Sequence, residues 1–343
     1  MNDPAPDAAR RGLLAALAAL PFAPAAALAA GPAFPEDCTL LVAGPEDGLT
    51  ARRGRLIASA LQPDAATPLL HLAAIGGVDG VTAANQFVTR VARDGAMALL
   101  VPGTTALAWL AGEPRAQFDA GAWLAVLAGV TPGLLACRLP RTALRPGQRL
   151  RIAAGGPGGP ELPALMAAEL LGLTVEPVYG LAERDAAAAA LAGGAVDAVY
   201  VGGPGGLAHA AMLAAAGAPP AFALGLPDGR GVWRRDPALP EVPTVAELID
   251  VRSPSLPKLA AWQAVALATQ LEFALVLPPL TPAAQLAQWR HAGEAPAVGQ
   301  ALRAAEPDLR PITGAEAQAA LASLRLDAPA LLGLRQWLVT TTR

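Results

Sequence analysis

Two short glycine loops in this chain have the chemistry to hold an anion. Gly155-Gly156-Pro157-Gly158-Gly159 follows a strand-like run and precedes a helix-like one, and Gly202-Gly203-Pro204-Gly205-Gly206 repeats the arrangement. Glycine lets a backbone approach a ligand closely, and the N-terminus of a following helix offers unpaired N–H groups to negative charge. The plain alternative is a pair of tight turns in a chain with 35 glycines. Neither loop is a nucleotide motif, because the phosphate-loop lysine and the dinucleotide-binding spacing after the first strand are both missing. His71, His209 and His291 stand apart from any Cys, His or carboxylate at ligand spacing, so no metal is expected. His71, in an apolar run, reads as a satisfied core residue, whereas His209 directly follows the second glycine loop and can reach a cleft. No serine sits in a G-x-S-x-G elbow. Glu46-Asp47 reads as a pair of solvated turn carboxylates rather than an acid and a base. These residues make no positive case for an enzyme and call for no cofactor.

Composition narrows the classes further. The chain has 343 residues, enough for two ordinary domains, and is 54% hydrophobic with a mean hydropathy of +0.41. Alanine supplies much of that figure. The longest internal apolar stretch, Leu259 to Leu280, is interrupted by Gln263, Gln270 and Glu272, which excludes a spanning helix there. A net charge of -3 and 4% aromatic residues argue against a nucleic-acid partner. Arg10-Arg11-Gly12-Leu13-Leu14 opens an apolar run that ends in the small-x-small site Ala27-Leu28-Ala29. This is the layout of a secretory signal peptide, of twin-arginine type, removed near Ala29 to leave a periplasmic protein. An alanine-rich amphipathic helix of the mature chain is the alternative. Cys38 and Cys137 lie in apolar, strand-like segments and are expected as buried thiols, although export would permit a disulfide.

The elements that must position the loops alternate along the chain. Strands are expected at Thr39–Ala43, Leu69–Ile75, Met97–Val101, Leu134–Leu139, Arg149–Ala154, Thr174–Val178, Ala195–Val201, Ala221–Leu226 and Glu272–Leu277. Helices are expected at Ala51–Leu61, with Thr50 as cap, and at Val81–Arg93, Ala164–Leu171, Asp185–Ala192 and Ala208–Ala216. This alternation implies an α/β fold with mostly parallel sheets covered by helices.

The most distinctive stretch is Asp236-Pro-Ala-Leu-Pro-Glu-Val-Pro-Thr-Val-Ala-Glu-Leu248. Its three prolines forbid a regular helix before Pro243, and Thr244 with Glu247 then makes a capping box. The segment resembles one found in the solute receptors of tripartite tricarboxylate transporters, the Bug family. Collinear matches run along the mature chain. They are Val42–Pro45 through Gly48-Leu49-Thr50 and Arg55-Leu56, Asp94-Gly95 through Thr104-Thr105, Leu139–Thr142, Leu191–Asp197, and Phe273 to Thr281-Pro282.

The resemblance implies a type II periplasmic binding protein fold, two α/β domains joined by crossing hinge strands. Residues 1–30 would be the signal peptide, 31–132 with 273–343 domain one, and 133–272 domain two. It also implies that a small carboxylate is held by Pro45, Glu46, Asp47, Gly48 and Thr50, by Thr104 and Thr105, and by Gly155, Gly156, Pro157, Gly158 and Gly159. Departures fall in the same loops. Glu46-Asp47 stands where the family has Pro-Gly, Ala51 where it often has Asp, and Ala154 and Gly159 where it has serines. Acids facing the cleft would favour an amine, amide or polyol, with Arg52 or Arg53 able to offset them. The function implied is a monomeric receptor that hands a small ligand to membrane permease subunits. A sensor of the same fold, or less readily an exported enzyme, are the alternatives.

Overall fold

The computed structural model describes residues 38–61, 70–77, 79–249 and 255–341. The expected export signal lies outside them. The chain builds β1 (Cys38–Ala43), α1 (Leu49–Leu61), β2 (Leu70–Ile75), α2 (Val81–Arg90), β3 (Met97–Val101), α3 (Gly103–Ala111) and β4 (Leu124–Val130). It then crosses to a second sheet through β5 (Leu134–Cys137), β6 (Arg149–Ala153), α4 (Leu162–Leu170), β7 (Thr174–Val178), α5 (Arg184–Ala192), β8 (Ala198–Val201), α6 (Gly206–Ala215) and β9 (Pro220–Ala223). A hairpin of β10 (Leu226–Pro227) and β11 (Trp233–Arg234) leads to the short α7 (Val245–Leu248) and the long α8 (Leu256–Gln270). The chain returns to the first sheet as β12 (Leu271–Leu277), followed by α9 (Ala283–Gly293), α10 (Pro296–Ala305), β13 (Arg310–Thr313), α11 (Gly314–Ala322) and α12 (Ala328–Thr341).

The first sheet has the order β13-β4-β12-β3-β1-β2 and the second β7-β6-β8-β5-β9. Within each, the βαβ units are parallel: β1 with β2 and β3, β6 with β7 and β8. Strands arriving from the other half of the chain run antiparallel: β12 against β3 and β4, and β5 against β8 and β9. The sheets are therefore mixed rather than mostly parallel, because a strand that crosses between lobes enters from the opposite end.

Burial on both faces explains the continuous apolar runs. In β1, Leu41 and Ala43 face one core with Phe87 of α2 and Leu99 and Val101 of β3. The alternate residues Leu40 and Val42 face another with Ile57 of α1, Trp289 of α9 and Leu302 of α10. The period of two is intact although nearly every position is apolar. The second sheet divides likewise, Leu135, Leu150 and Ile152 on one side and Leu134, Ala153 and Val199 on the other. Helix α8 lies in the core that both lobes share, and its fully buried Trp262 donates from the indole N–H to the Pro163 carbonyl at 3.0 Å.

The proline arm folds as its residues dictate. The Ala223 N–H donates to the Pro243 carbonyl at 2.9 Å, and the next residue begins the helix. The Thr244 N–H donates to Glu247 Oε2 at 2.8 Å while the Glu247 N–H donates to Thr244 Oγ1 at 3.3 Å, the reciprocal capping box. Thr50, by contrast, is the second residue of α1, which begins at Leu49, so it is not a cap. His71 is exposed on the edge strand β2 rather than buried in a core. Cys38 and Cys137 are buried thiols in different sheets, and burial pushes the Cys137 thiol up to about 11. Among the described residues no helix is long and apolar enough to cross a membrane.

Candidate functional site

Topology marks the site before any side chain does. In the first sheet the chain leaves β1 toward β2 on one side and then places β3 on the other, so the C-terminal ends of β1 and β3 flank a topological switch point. In the second sheet β6 and β8 are related in the same way, with β7 on the far side of β6. The loops at these four strand ends are the Pro45–Thr50 segment, the Pro102–Thr104 turn into α3, and the two glycine loops.

An open cleft of about 930 Å³ runs along the first three of these loops. Of the residues expected there, Pro45, Gly48, Thr50, Thr104 and Gly158 line it. Thr104 is exposed at the second position of α3, so its hydroxyl is available beside that helix N-terminus. Thr105 is not available. It is fully buried, and its hydroxyl donates to the Asp79 carbonyl at 2.7 Å, tying α3 to the loop before α2. Gly155, Gly156, Pro157 and Gly159 shape the loop without lining the cleft.

Glu46 and Asp47 are exposed and outside the cleft lining. The turn Pro45–Gly48, closed by Gly48 N–H to Pro45 O at 3.0 Å, carries them away, and the Glu46 carbonyl accepts from Arg55 Nη1 at 3.0 Å. Of the two arrangements the sequence allows, this is the one with both acids toward solvent. Arg53 does not act as their counter-ion. It is 2% exposed and binds Glu272 and Glu306 at 2.8 and 2.6 Å. Burial works against its charge, and the bonds to Glu306 and Glu272 more than offset that, so its pKa is raised.

The other charged lining groups pair among themselves. Arg115 bridges Asp79 at 2.6 Å and Glu113 at 2.9 Å. The Asp79 carboxyl is held below its usual range although burial opposes this, chiefly by its hydrogen bond from Arg115. Each of these two clusters sets one arginine against two carboxylates and leaves no free cation, so the N-termini of α1 and α3 and the Thr50 and Thr104 hydroxyls are what the first lobe offers a ligand. That set suits a small anion or a polar neutral group.

The chain crosses between the sheets twice, from β4 to β5 through Thr131-Pro132-Gly133 and from α8 to β12 at Gln270-Leu271, and the second crossing lines the cleft through Thr269, Leu271 and Glu272. The two crossings are laced together. The Thr131 N–H donates to the Gln270 carbonyl at 3.0 Å, and Thr131 Oγ1 donates to Glu272 Oε1 at 2.8 Å. Gly103 of α3 sits so close that a Cβ there would collide with the carbonyls of Ala268 and Leu271.

A second pocket of about 200 Å³ lies at the β6–β8 switch point and shares Pro160 and Thr269 with the cleft wall. It is lined by Glu161, Arg184, Tyr200 and His209 among others. His209 thus lines this second pocket and not the cleft, while Glu161 and Tyr200 carried no sequence signal. Among the described residues no cluster of three or more His, Cys, Asp or Glu could hold a metal.

The chain resembles in structure a TctC solute-binding protein from Polaromonas solved without ligand, with a TM-score of 0.64 at 17% identity over 89% of this chain and 98% of that one. It also resembles the periplasmic binding protein BugD, with a TM-score of 0.47 at 16% identity over 90% and 98%. A third likeness is to MatC from Rhodopseudomonas palustris with bound malate, with a TM-score of 0.43 at 21% identity over 90% and 99%. No family model matches the chain, and no curated protein matches it in sequence. Of these three structures, the first is close enough to define a shared fold. The chain shares the α/β fold of that solute-binding protein.

Proposed function

We propose that this protein is a periplasmic solute receptor that captures a small polar ligand bearing a carboxylate and delivers it to the membrane subunits of a tripartite tricarboxylate-type transporter. It does so without chemistry. The observation that carries this reading is that the loops at the switch point of the first sheet and the loop after β6 of the second line one cleft, together with the α8-to-β12 crossing. The ligand's carboxylate would lie against the N-termini of α1 and α3, where backbone N–H groups and the Thr104 hydroxyl replace water. Closing the second lobe over it would bring Gly158 and Pro160 onto its far side. The domain boundaries fit this reading if they fall at the two crossings, near Gly133 and Leu271.

The fold and the solute-binding nature of the Polaromonas structure support the receptor class; the ligand and the transporter are inferred for this chain. A thermal-shift screen of small carboxylates, amides and amines, followed by calorimetry, tests it. A ligand at 100 times its dissociation constant should stabilise the protein by about 2.7 kcal/mol. Thr104→Trp, which fills the cleft at an exposed helix position, should abolish that binding. A hit that binds this variant as it binds the wild type would place the site elsewhere and overturn the reading.

A further inference from the structure

The pocket at the β6–β8 switch point is built around a carboxyl group without a counter-ion. Glu161 is 7% exposed, sits at the N-terminus of α4 and lines the pocket, and its Oε2 has no hydrogen-bond partner. Buried polar atoms are almost always satisfied, so an orphan of this kind marks a place where something else binds. Two neighbours share the condition. The Tyr200 hydroxyl is buried and lies near Thr269 without hydrogen-bonding geometry, and both ring nitrogens of His209 are buried without partners. Desolvation raises the Glu161 pKa and lowers that of His209, with the Arg184 charge adding to the effect on the histidine.

The remaining charge in the pocket is already committed. Arg184 donates from Nη2 to the Gly202 carbonyl at 2.7 Å and from Nη1 to the Pro204 carbonyl at 2.8 Å, bracing the second glycine loop. Thr269 gives its proton to the carbonyls of Val265 and Ala266 at 3.2 and 3.1 Å. Glu161 therefore presents an unpaired carboxylate oxygen to this space, beside the unpartnered His209 ring and Tyr200 hydroxyl, each of which carries a donor as well as an acceptor. Its volume, about 200 Å³, is that of roughly half a dozen waters, enough for a short chain ending in a polar head.

We infer that this pocket is a specificity subsite for an amine, with Glu161 as the acceptor that binds its ammonium group. The inference rests on the receptor reading, because the pocket joins the cleft along Pro160 and Thr269. The complete ligand would then carry a carboxylate at the first lobe and an amine at the other end of a short carbon chain. A second carboxylate in this pocket would meet Glu161 instead of a free cation.

Calorimetry on the full chain with pairs of equal spacer tests this: 4-aminobutanoate against glutarate, 5-aminopentanoate against adipate, and 6-aminohexanoate against pimelate. At least one amino acid should bind tenfold or more tighter than its diacid. Glu161→Gln should weaken that amino acid at least tenfold and strengthen the matched diacid about threefold. Opposite signs separate lost charge from damaged structure, which would weaken both. Gly159→Ala is the second variant, since a Cβ there would collide with Glu161 Oε2 and displace the carboxyl without removing it. It should weaken the amino acid in the same direction. Diacids bound as tightly as the amino acids, or an amino-acid affinity untouched by Glu161→Gln, would make the pocket a water-filled cavity and overturn this inference alone, leaving carboxylate capture in place. No binding by any of the six compounds would overturn it as well, while the thermal-shift screen and the Thr104→Trp variant judge the receptor reading separately.

Discussion

The side-chain oxygen of Gln270 accepts the Gly133 backbone N–H at 3.2 Å, so one residue of the returning segment holds the outgoing one. Gln270 is 1% exposed and also donates from Nε2 to the Gly225 and Ala266 carbonyls at 3.0 and 3.1 Å. A residue that fastens both crossings to each other, and to the start of the hairpin, sets the path about which the lobes can bend. Gln270→Leu keeps the volume and orphans the Gly133 N–H and the Gly225 carbonyl. Each buried orphan costs about 1–3 kcal/mol, so urea unfolding should show a loss of about 2–4 kcal/mol with little change in slope.

The motif aspartate Asp197 is a staple rather than a ligand. Its carboxylate accepts from the Arg151 N–H, from Arg151 Nε and Nη2, and from Arg138 Nη2, tying β6 to the end of β5. The Arg151 hydrogen bond, more than burial opposes it, holds the Asp197 pKa below its usual value. A depressed carboxyl contributes stability that is complete above its unfolded pKa of about 3.9 and is lost as pH falls through the folded value. The stability gap between wild type and Asp197→Asn should therefore be widest above about pH 5 and close by about pH 2. Chemical unfolding across that range measures it, and a gap that widened in acid would contradict the assignment.

Leu280 carries a left-handed backbone, φ 68°, in the turn after β12. Its side chain is 75% exposed and contributes little packing. A left-handed conformation costs a residue with a Cβ about 1–2 kcal/mol, so Leu280→Gly should raise stability by about 0.5–1 kcal/mol after the added chain entropy. A lower melting temperature would show that the leucine packs usefully.

Glu46 and Asp47 should be bystanders. Replacing them by Pro and Gly is expected to change the affinity of any ligand found in the thermal-shift screen by less than about twofold, because exposed charges beyond a few ångströms of water are weakly felt. A change of tenfold or more would mean that these acids swing into the cleft in the bound form.

The strand and helix pattern was legible where a residue run was both apolar and bounded by turn residues. Met97–Val101 and Thr174–Val178 agree to the residue, and the Thr244–Glu247 capping box is present as its spacing demands. What escaped has common causes. Helix α8 is apolar around most of its surface because it lies in the core shared by both lobes, so it lacks the one-sided stripe that marks a helix. Helix α3 opens on Gly103-Thr104-Thr105, residues of poor helix propensity, and reads as a loop. Strand β13 is short and holds Pro311, which an edge strand tolerates.

The cleft loops were legible in position but not in detail. Sequence cannot show that Thr105 spends its hydroxyl on a carbonyl, that Glu46 and Asp47 turn outward, or that Arg53 pairs with residues more than 200 positions away. Glu161 had no signal, because it becomes unusual only once folding encloses it beside residues from two other elements.

The most direct test of capture by closure is small-angle scattering of the full chain with and without a saturating ligand from the thermal-shift screen. The account predicts a smaller radius of gyration in the bound form, as the second lobe turns about Gly133 and Leu271 and brings Gly158 and Pro160 toward Thr104. A ligand that binds in the cleft and leaves the scattering curve unchanged would contradict it.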